Sequence, residues 1–135
     1  MIKYFAAYAT TAIVMIALDL LWLGVVAKPL YQQGIGHLLA DRPNIPVALL
    51  FYATFPVGLM VFAVAPYASA SQWAETLISA ALFGFMAYAT YDLSNLATLK
   101  NWPVGLSFVD MAWGTALSAT ATAAGKFVLC RFAAG

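Results

Sequence analysis

The sequence predicts an all-α integral membrane protein, a bundle of four transmembrane helices running up-down-up-down, with a short interfacial segment between helices 1 and 2. Composition is the first indication, since hydrophobic residues make up 64% of the 135 residues and charged residues only 8%, against roughly 25% in an average soluble domain. Distribution is the second, because four apolar stretches approach the roughly 20 residues that cross a hydrocarbon core. Lipid is therefore the expected solvent for most of the surface.

Each predicted helix is an apolar run that ends at a polar or proline-containing connection. The longest connection follows the first helix, and residues 31–42 within it are the candidate interfacial segment. A short turn rich in alanine and serine follows the second helix. Pro103 suits the start of the fourth helix, where its missing N–H costs nothing. No connection has the composition of a domain boundary, so we predict one transmembrane domain, 1–135, with helices at about 4–27, 46–65, 73–99 and 104–129.

Three aspartates, Asp19, Asp92 and Asp110, fall inside the predicted helices 1, 3 and 4. Alternating passes bring the end of helices 1 and 3 and the start of helices 2 and 4 to one side. At 1.5 Å per residue, each aspartate then lies about 9–12 Å inside its helix end. A charged group at such depth costs at least about 2.5 kcal/mol on insertion scales. The three carboxylates are therefore expected at one level, facing the bundle interior.

Polar and aromatic residues share helix faces with these aspartates. Tyr88 and Asn95 lie on the face of Asp92, and the pattern Asp-x-x-Trp occurs both at Asp19 and at Asp110. One interpretation is a polar pocket for a small molecule, an ion, protons or a lipid headgroup. The other is that the aspartates hold helices together through hydrogen bonds, which in lipid contribute only about 0.6–2 kcal/mol. The candidate ligand-binding residues are Asp19, Trp22, Tyr88, Asp92, Asn95, Asp110 and Trp113.

Several classes of function find no support in the sequence. A net charge of +1 gives no strong attraction for nucleic acid. His37 is the only histidine and no paired-histidine spacing occurs, so neither a metal nor a haem or other cofactor is predicted. No nucleophile motif of the Gly-x-Ser-x-Gly or Cys–His type occurs. We therefore assign no catalytic residue, and enzyme activity is the least supported class.

Three runs of the sequence resemble one family of bacterial membrane proteins. They are residues 19–24, which read DLLWLG, residues 91–103, which read YDLSNLATLKNWP, and residues 110–114, which read DMAWG. The family is that of predicted membrane proteins with domain of unknown function 2177, and the likeness covers essentially the whole chain. The resemblance implies a four-helix protein of the bacterial inner membrane, and it brings no activity with it.

Three functions remain open at this point. The preferred one is the binding of a small molecule, ion or lipid headgroup in the aspartate-lined pocket. An accessory subunit of a larger membrane complex is the second, and a small proton- or cation-coupled transporter acting as an oligomer is the third. Basic residues do not decide the orientation, because each side carries three, although the terminal ones favour termini in the cytoplasm. They are Lys3, Lys126 and Arg131 on one side and Lys28, Arg42 and Lys100 on the other.

Overall fold

A computed structural model describes all residues from 1 to 135, and every regular element in it is helical. The all-α prediction is therefore confirmed. The first and third α-helices continue as π-helical turns, Trp22–Val26 and Met60–Val64, and two 3-10 turns occupy Gly36–Leu38 and Ala65–Tyr67. The five α-helices are α1 (Ile2–Leu21), α2 (Lys28–Ile35), α3 (Ile45–Leu59), α4 (Trp73–Thr98) and α5 (Val104–Ala134).

Three helical segments are long and apolar enough to cross a membrane. They are Ile2–Val26, Ile45–Tyr67 and Trp73–Thr98, with mean hydropathies of 2.1, 2.2 and 1.2. Large apolar side chains on them stay exposed in the isolated chain, as expected for surfaces that meet lipid. The 31-residue helix α5 is the longest, yet it is not among these three. The count of four spanning helices therefore remains a prediction.

The buried face of α5 explains its lower hydropathy. This helix packs most extensively against α4 and α1, so much of its surface meets protein instead of lipid. The residues it buries are mostly small or polar, which permits close helix approach without a hydrophobic driving force. Among them are Ser107, Gly114, Ser118, Ala121, Thr122 and Gly125.

Neighbouring long helices are antiparallel. A Cβ atom placed on Gly84 of α4 would lie 2.2 Å from Ser118 Oγ of α5, while Thr76, earlier on α4, bonds to Lys126, later on α5. On α1, Thr11 lies against Gly125 near the end of α5. One end of the bundle, called here the α2 end, therefore holds residues 22–44 and 99–104. The other, the termini end, holds both termini and residues 65–72.

Helix α3 is the least tightly packed of the long helices at the α2 end. Its backbone approaches α4 through the π-helical turn Met60–Val64, and the rest of α3 stands farther from α4. Aromatic side chains bridge that separation, with the Phe55 ring centroid 5.3 Å from that of Phe83 and 6.2 Å from that of Tyr88. Because α3 diverges from α4 toward the α2 end, a space is left inside this end of the bundle.

The short helix α2 lies across this end and packs on the α4–α5 connection. It begins at Lys28, before the predicted segment 31–42, and carries Pro29 in its first turn, a favoured position. Its last residue, Ile35, forms a buried cluster with Trp102 and Leu106. Gly34 permits the close approach, because a Cβ atom there would lie 3.0 Å from Pro103 Cγ.

Candidate functional site

The space inside the α2 end is a cavity of about 530 Å³, within the roughly 300–1,000 Å³ range of small-molecule pockets. Five of the seven residues proposed from sequence line it: Asp19, Trp22, Tyr88, Asp110 and Trp113. Asp92 lies beside Asp110 and is 1% exposed. Asn95 is half-buried and is not part of the lining.

Asp19 joins three helices through its two carboxylate oxygens. The Tyr52 hydroxyl of α3 donates to Oδ2 at 2.7 Å, and the Trp113 indole of α5 donates to Oδ1 at 2.8 Å. The side chain of Asp19 is only 5% exposed, so these bonds replace the water it would hold outside. Asp19 therefore fits the interpretation that an aspartate holds helices together.

Asp110 is bonded to the short helix that crosses the α2 end. The Tyr31 hydroxyl donates to Asp110 Oδ1, and the Trp22 indole donates to the Tyr31 oxygen at 3.3 Å. Burial, together with the adjacent Asp110 carboxylate, raises the pKa of the Tyr31 phenol above its usual value. The phenol consequently stays protonated at neutral pH and remains a donor to Asp110.

Asp92 is the least satisfied of the three aspartates. Its carboxyl group lies beside that of Asp110, and its Oδ2 atom is buried without a hydrogen-bond partner. Two carboxylates this close repel each other unless a proton or a cation lies between them. Hydrogen bonds between helices therefore account for Asp19 and, through Tyr31, for one oxygen of Asp110, and they leave Asp92 unexplained.

The two Asp-x-x-Trp patterns meet at their tryptophans. The indole rings of Trp22 and Trp113 are stacked, with centroids 4.3 Å apart and an interplanar angle of 4°. Trp22 begins the π-helical turn at the end of α1, a local geometry that is frequent at functional sites. This stack connects the hydrogen bonds of Asp19 with those of Asp110, so one continuous set of contacts crosses the cavity wall.

Sequence reasoning missed several lining residues. Tyr31 was not proposed because it lies in a connection without a helical pattern of apolar residues, so the direction of its side chain could not be predicted. Tyr52 lies near the level of Asp19 along its helix, and this shared depth was the sequence signal that it belongs near the site. The α3 face toward the cavity is otherwise apolar and aromatic, through Val47, Ala48, Phe51 and Phe55.

Chemically, the site combines carboxylates with neutral donors and aromatic ring faces. Its hydrogen bonds come from phenol and indole groups, none of which compensates a negative charge. The acidic residues do not converge into a set of three or more metal ligands. Such a lining is suited to binding.

Comparison with known proteins gives one match. A family model described as "Predicted membrane protein (DUF2177)" matches residues 4–127. No curated protein and no solved structure matches the chain.

Proposed function

This chain belongs to the DUF2177 family of predicted membrane proteins, and from that premise we propose that it binds a small molecule or a lipid headgroup in the cavity at its α2 end. The binding residues in this proposal are Asp110, Asp92 and Asp19, with Trp22, Trp113 and Tyr88 as walls. Asn95 has a peripheral role at most, because it lies outside the lining. The observation that carries the proposal is a cavity of about 530 Å³ lined by the Asp19 and Asp110 carboxylates, with the unpaired Asp92 Oδ2 atom buried beside Asp110.

In the membrane, α5 is the fourth spanning helix of this proposal, and α2 lies at the interface. The family resemblance supports a bacterial inner membrane, and the basic residues near the termini favour both termini in the cytoplasm with the α2 end facing outward. Gly114 and Gly125 support close packing of α5 on its neighbours, so its modest hydropathy is compatible with a span surrounded by protein.

A cation- or proton-coupled transporter is the second candidate, and one observation favours it. The hydroxyl groups of Ser118 and Thr122 are buried on α5 without partners, between Asp110 and the buried Lys126. Polar groups inside a bundle often mark an ion or proton path. An oligomer would supply the remaining walls of a path, and liposomes that show no pH-dependent cation flux would remove this candidate.

The binding proposal is tested by mass spectrometry of the intact protein, extracted in a mild neutral detergent. The wild type is expected to carry a non-covalent adduct, and Asp110→Asn and Asp92→Asn are expected to lose it while remaining folded by circular dichroism. Asp41→Asn is the matched control, because Asp41 is an exposed carboxylate at the same end. A wild type that carries no adduct, or variants that keep it, would contradict the proposal.

A further inference from the structure

The cavity differs from most ligand pockets in its uncompensated negative charge. Asp19, Asp92 and Asp110 are each less than 8% exposed, and the basic residues of the α2 end, Lys28, Arg42 and Lys100, are all exposed. The partners of Asp19 and Asp110 are neutral donors. In a medium of low dielectric constant, neutral donors leave a strong negative potential at the cavity.

Aromatic rings line the same cavity as these carboxylates. Trp22, Trp113, Tyr52, Tyr88 and Phe55 surround the cavity. The indole N–H of Trp113 and the hydroxyl of Tyr52 are used by Asp19, so these residues offer a ligand mainly their ring faces. Ring faces attract cations, and rings arranged around a site are used to recognise alkylated ammonium groups.

The apolar part of the cavity lining indicates that the ligand also carries an apolar group. Its lining along α3 consists of Val47, Ala48, Phe51 and Phe55, with Ala87 on α4. The backbone that follows the start of α3 is far from α4 at this level and approaches it only farther along, at Met60–Val64 and Ala65–Tyr67. An apolar tail can therefore leave the cavity between these two helices and extend into the surrounding acyl chains.

Resting on the proposed function, we infer that the ligand is an amphipathic monovalent cation, with an ammonium or alkylated ammonium group at the Asp110 carboxylate and a hydrocarbon tail between α3 and α4. Asp19 and Asp110 line the cavity, whereas Asp92, which is 1% exposed, lies beside Asp110 and outside the lining. An anion would meet the carboxylates of Asp19 and Asp110, and a neutral ligand would leave them without a counter-charge. The same headgroup chemistry occurs in a membrane lipid and in a free alkylamine.

The test uses the purified wild-type protein in a neutral detergent, with four probes compared by equilibrium dialysis. Decyltrimethylammonium and decylamine are the cations, decanoate is the anion and decyl maltoside is the neutral amphipath. Both cations are expected to bind at least about tenfold more tightly than the other two, which corresponds to roughly 1.4 kcal/mol. Asp110→Asn should lose about tenfold in cation affinity, while Asp41→Asn should lose nothing.

Other outcomes separate this inference from the proposed function. Equal binding of decanoate, decyl maltoside and the cations would overturn the charge preference and leave a binding cavity intact. Absence of binding by every probe, together with a wild type free of adducts, would overturn both. Tetramethylammonium, which has no hydrocarbon tail, tests whether the tail contributes to binding. If it binds as tightly as decyltrimethylammonium, the proposed exit of the tail between α3 and α4 is overturned. A cationic aminolipid adduct supports a lipid source, an alkylamine adduct supports a free one, and an anionic phospholipid adduct would overturn the charge preference.

Discussion

Among individual residues, the three buried aspartates have different environments despite their similar depth. Asp19 uses both oxygens in bonds to Tyr52 and Trp113, and a buried acceptor that is fully paired stabilises the fold. Asp92 has a buried oxygen with no partner. Substitution of Asp19 should therefore mainly lower the stability of the fold, whereas substitution of Asp92 or Asp110 should mainly weaken ligand binding.

Removing the Tyr31 hydroxyl should make the protein less stable at neutral pH and less sensitive to alkali. Tyr31→Phe leaves Asp110 without its donor, and a hydrogen bond to a charged group contributes about 1.5–3 kcal/mol. The raised pKa of the Tyr31 phenol means that its contribution is present below the ordinary tyrosine pKa of about 10 and is lost as the pH rises above that value.

Thermal unfolding in detergent, repeated between neutral and strongly alkaline pH, measures this effect. The difference in stability between wild type and Tyr31→Phe should shrink as the pH rises past about 10. Tyr67→Phe, at the opposite end of the bundle, is the control and should leave the pH profile unchanged. A constant difference across the whole range would contradict the assignment.

The residues of the site were predictable where helix geometry fixes a direction, and only there. The rise per residue and the alternating passes were enough to bring Asp19, Asp92 and Asp110 to one end. Asn95 lies three residues after Asp92, about 60° around the helix and nearer its end, and it falls outside the lining. Tyr31 could not be placed, because its position depends on how α2 docks against Trp102 and Pro103.

At the scale of single elements, the contact between α4 and α5 depends on glycine. A Cβ atom on Gly84 would lie 2.4 Å from the backbone oxygen of Gly114 and 2.2 Å from Ser118 Oγ. Gly84→Ala therefore forces the helices apart, and overpacking of this kind costs about 1–3 kcal/mol. Thermal unfolding in detergent measures the loss. Gly105→Ala, where nothing lies within 4 Å, should be neutral or slightly stabilising, and equal losses in both variants would contradict the prediction.

A buried lysine fixes the opposite end of α5. The Lys126 ammonium, with its side chain fully buried, donates to the Tyr67 carbonyl oxygen and to Thr76 Oγ1, each at 2.8 Å, and to the Gln72 carbonyl oxygen. Lys126→Met removes these three bonds and leaves the Tyr67 and Gln72 carbonyl oxygens with only their bonds to Thr76, at a cost of about 1–3 kcal/mol. We expect faster proteolysis within residues 65–72, with Arg131→Met as the exposed control. An unchanged cleavage rate would show that Lys126 is dispensable.

The limits of sequence reasoning about elements have physical causes. Apolar runs located the long helices well, because spans in lipid must be continuous and apolar. The π-helical turns depend on local packing and leave no comparable pattern in the sequence. Lys126 was counted among the basic residues of one membrane side, since sequence does not reveal that the connection between α3 and α4 folds its carbonyl groups over it.

For the whole molecule, the prediction is that α5 crosses the membrane. Its packing between α4 and α1, antiparallel to both, predicts that it does, and both termini then lie on one side. Single-cysteine variants in a Cys130→Ser background measure this. Ile2→Cys and Ala134→Cys should react with a membrane-impermeant maleimide from one face, and Asp41→Cys from the other. Labelling of positions 41 and 134 from the same face would mean that α5 does not cross.

The stacked indoles of Trp22 and Trp113 have a spectroscopic consequence. Two chromophores in face-to-face contact at 4.3 Å couple their electronic transitions, and an in-plane twist of one ring against the other gives their circular dichroism a paired positive and negative band that isolated tryptophans lack. Replacement of either ring by phenylalanine should abolish both bands together. Because the pair forms part of the cavity wall, its optical signal reports any molecule that enters and shifts one ring against the other.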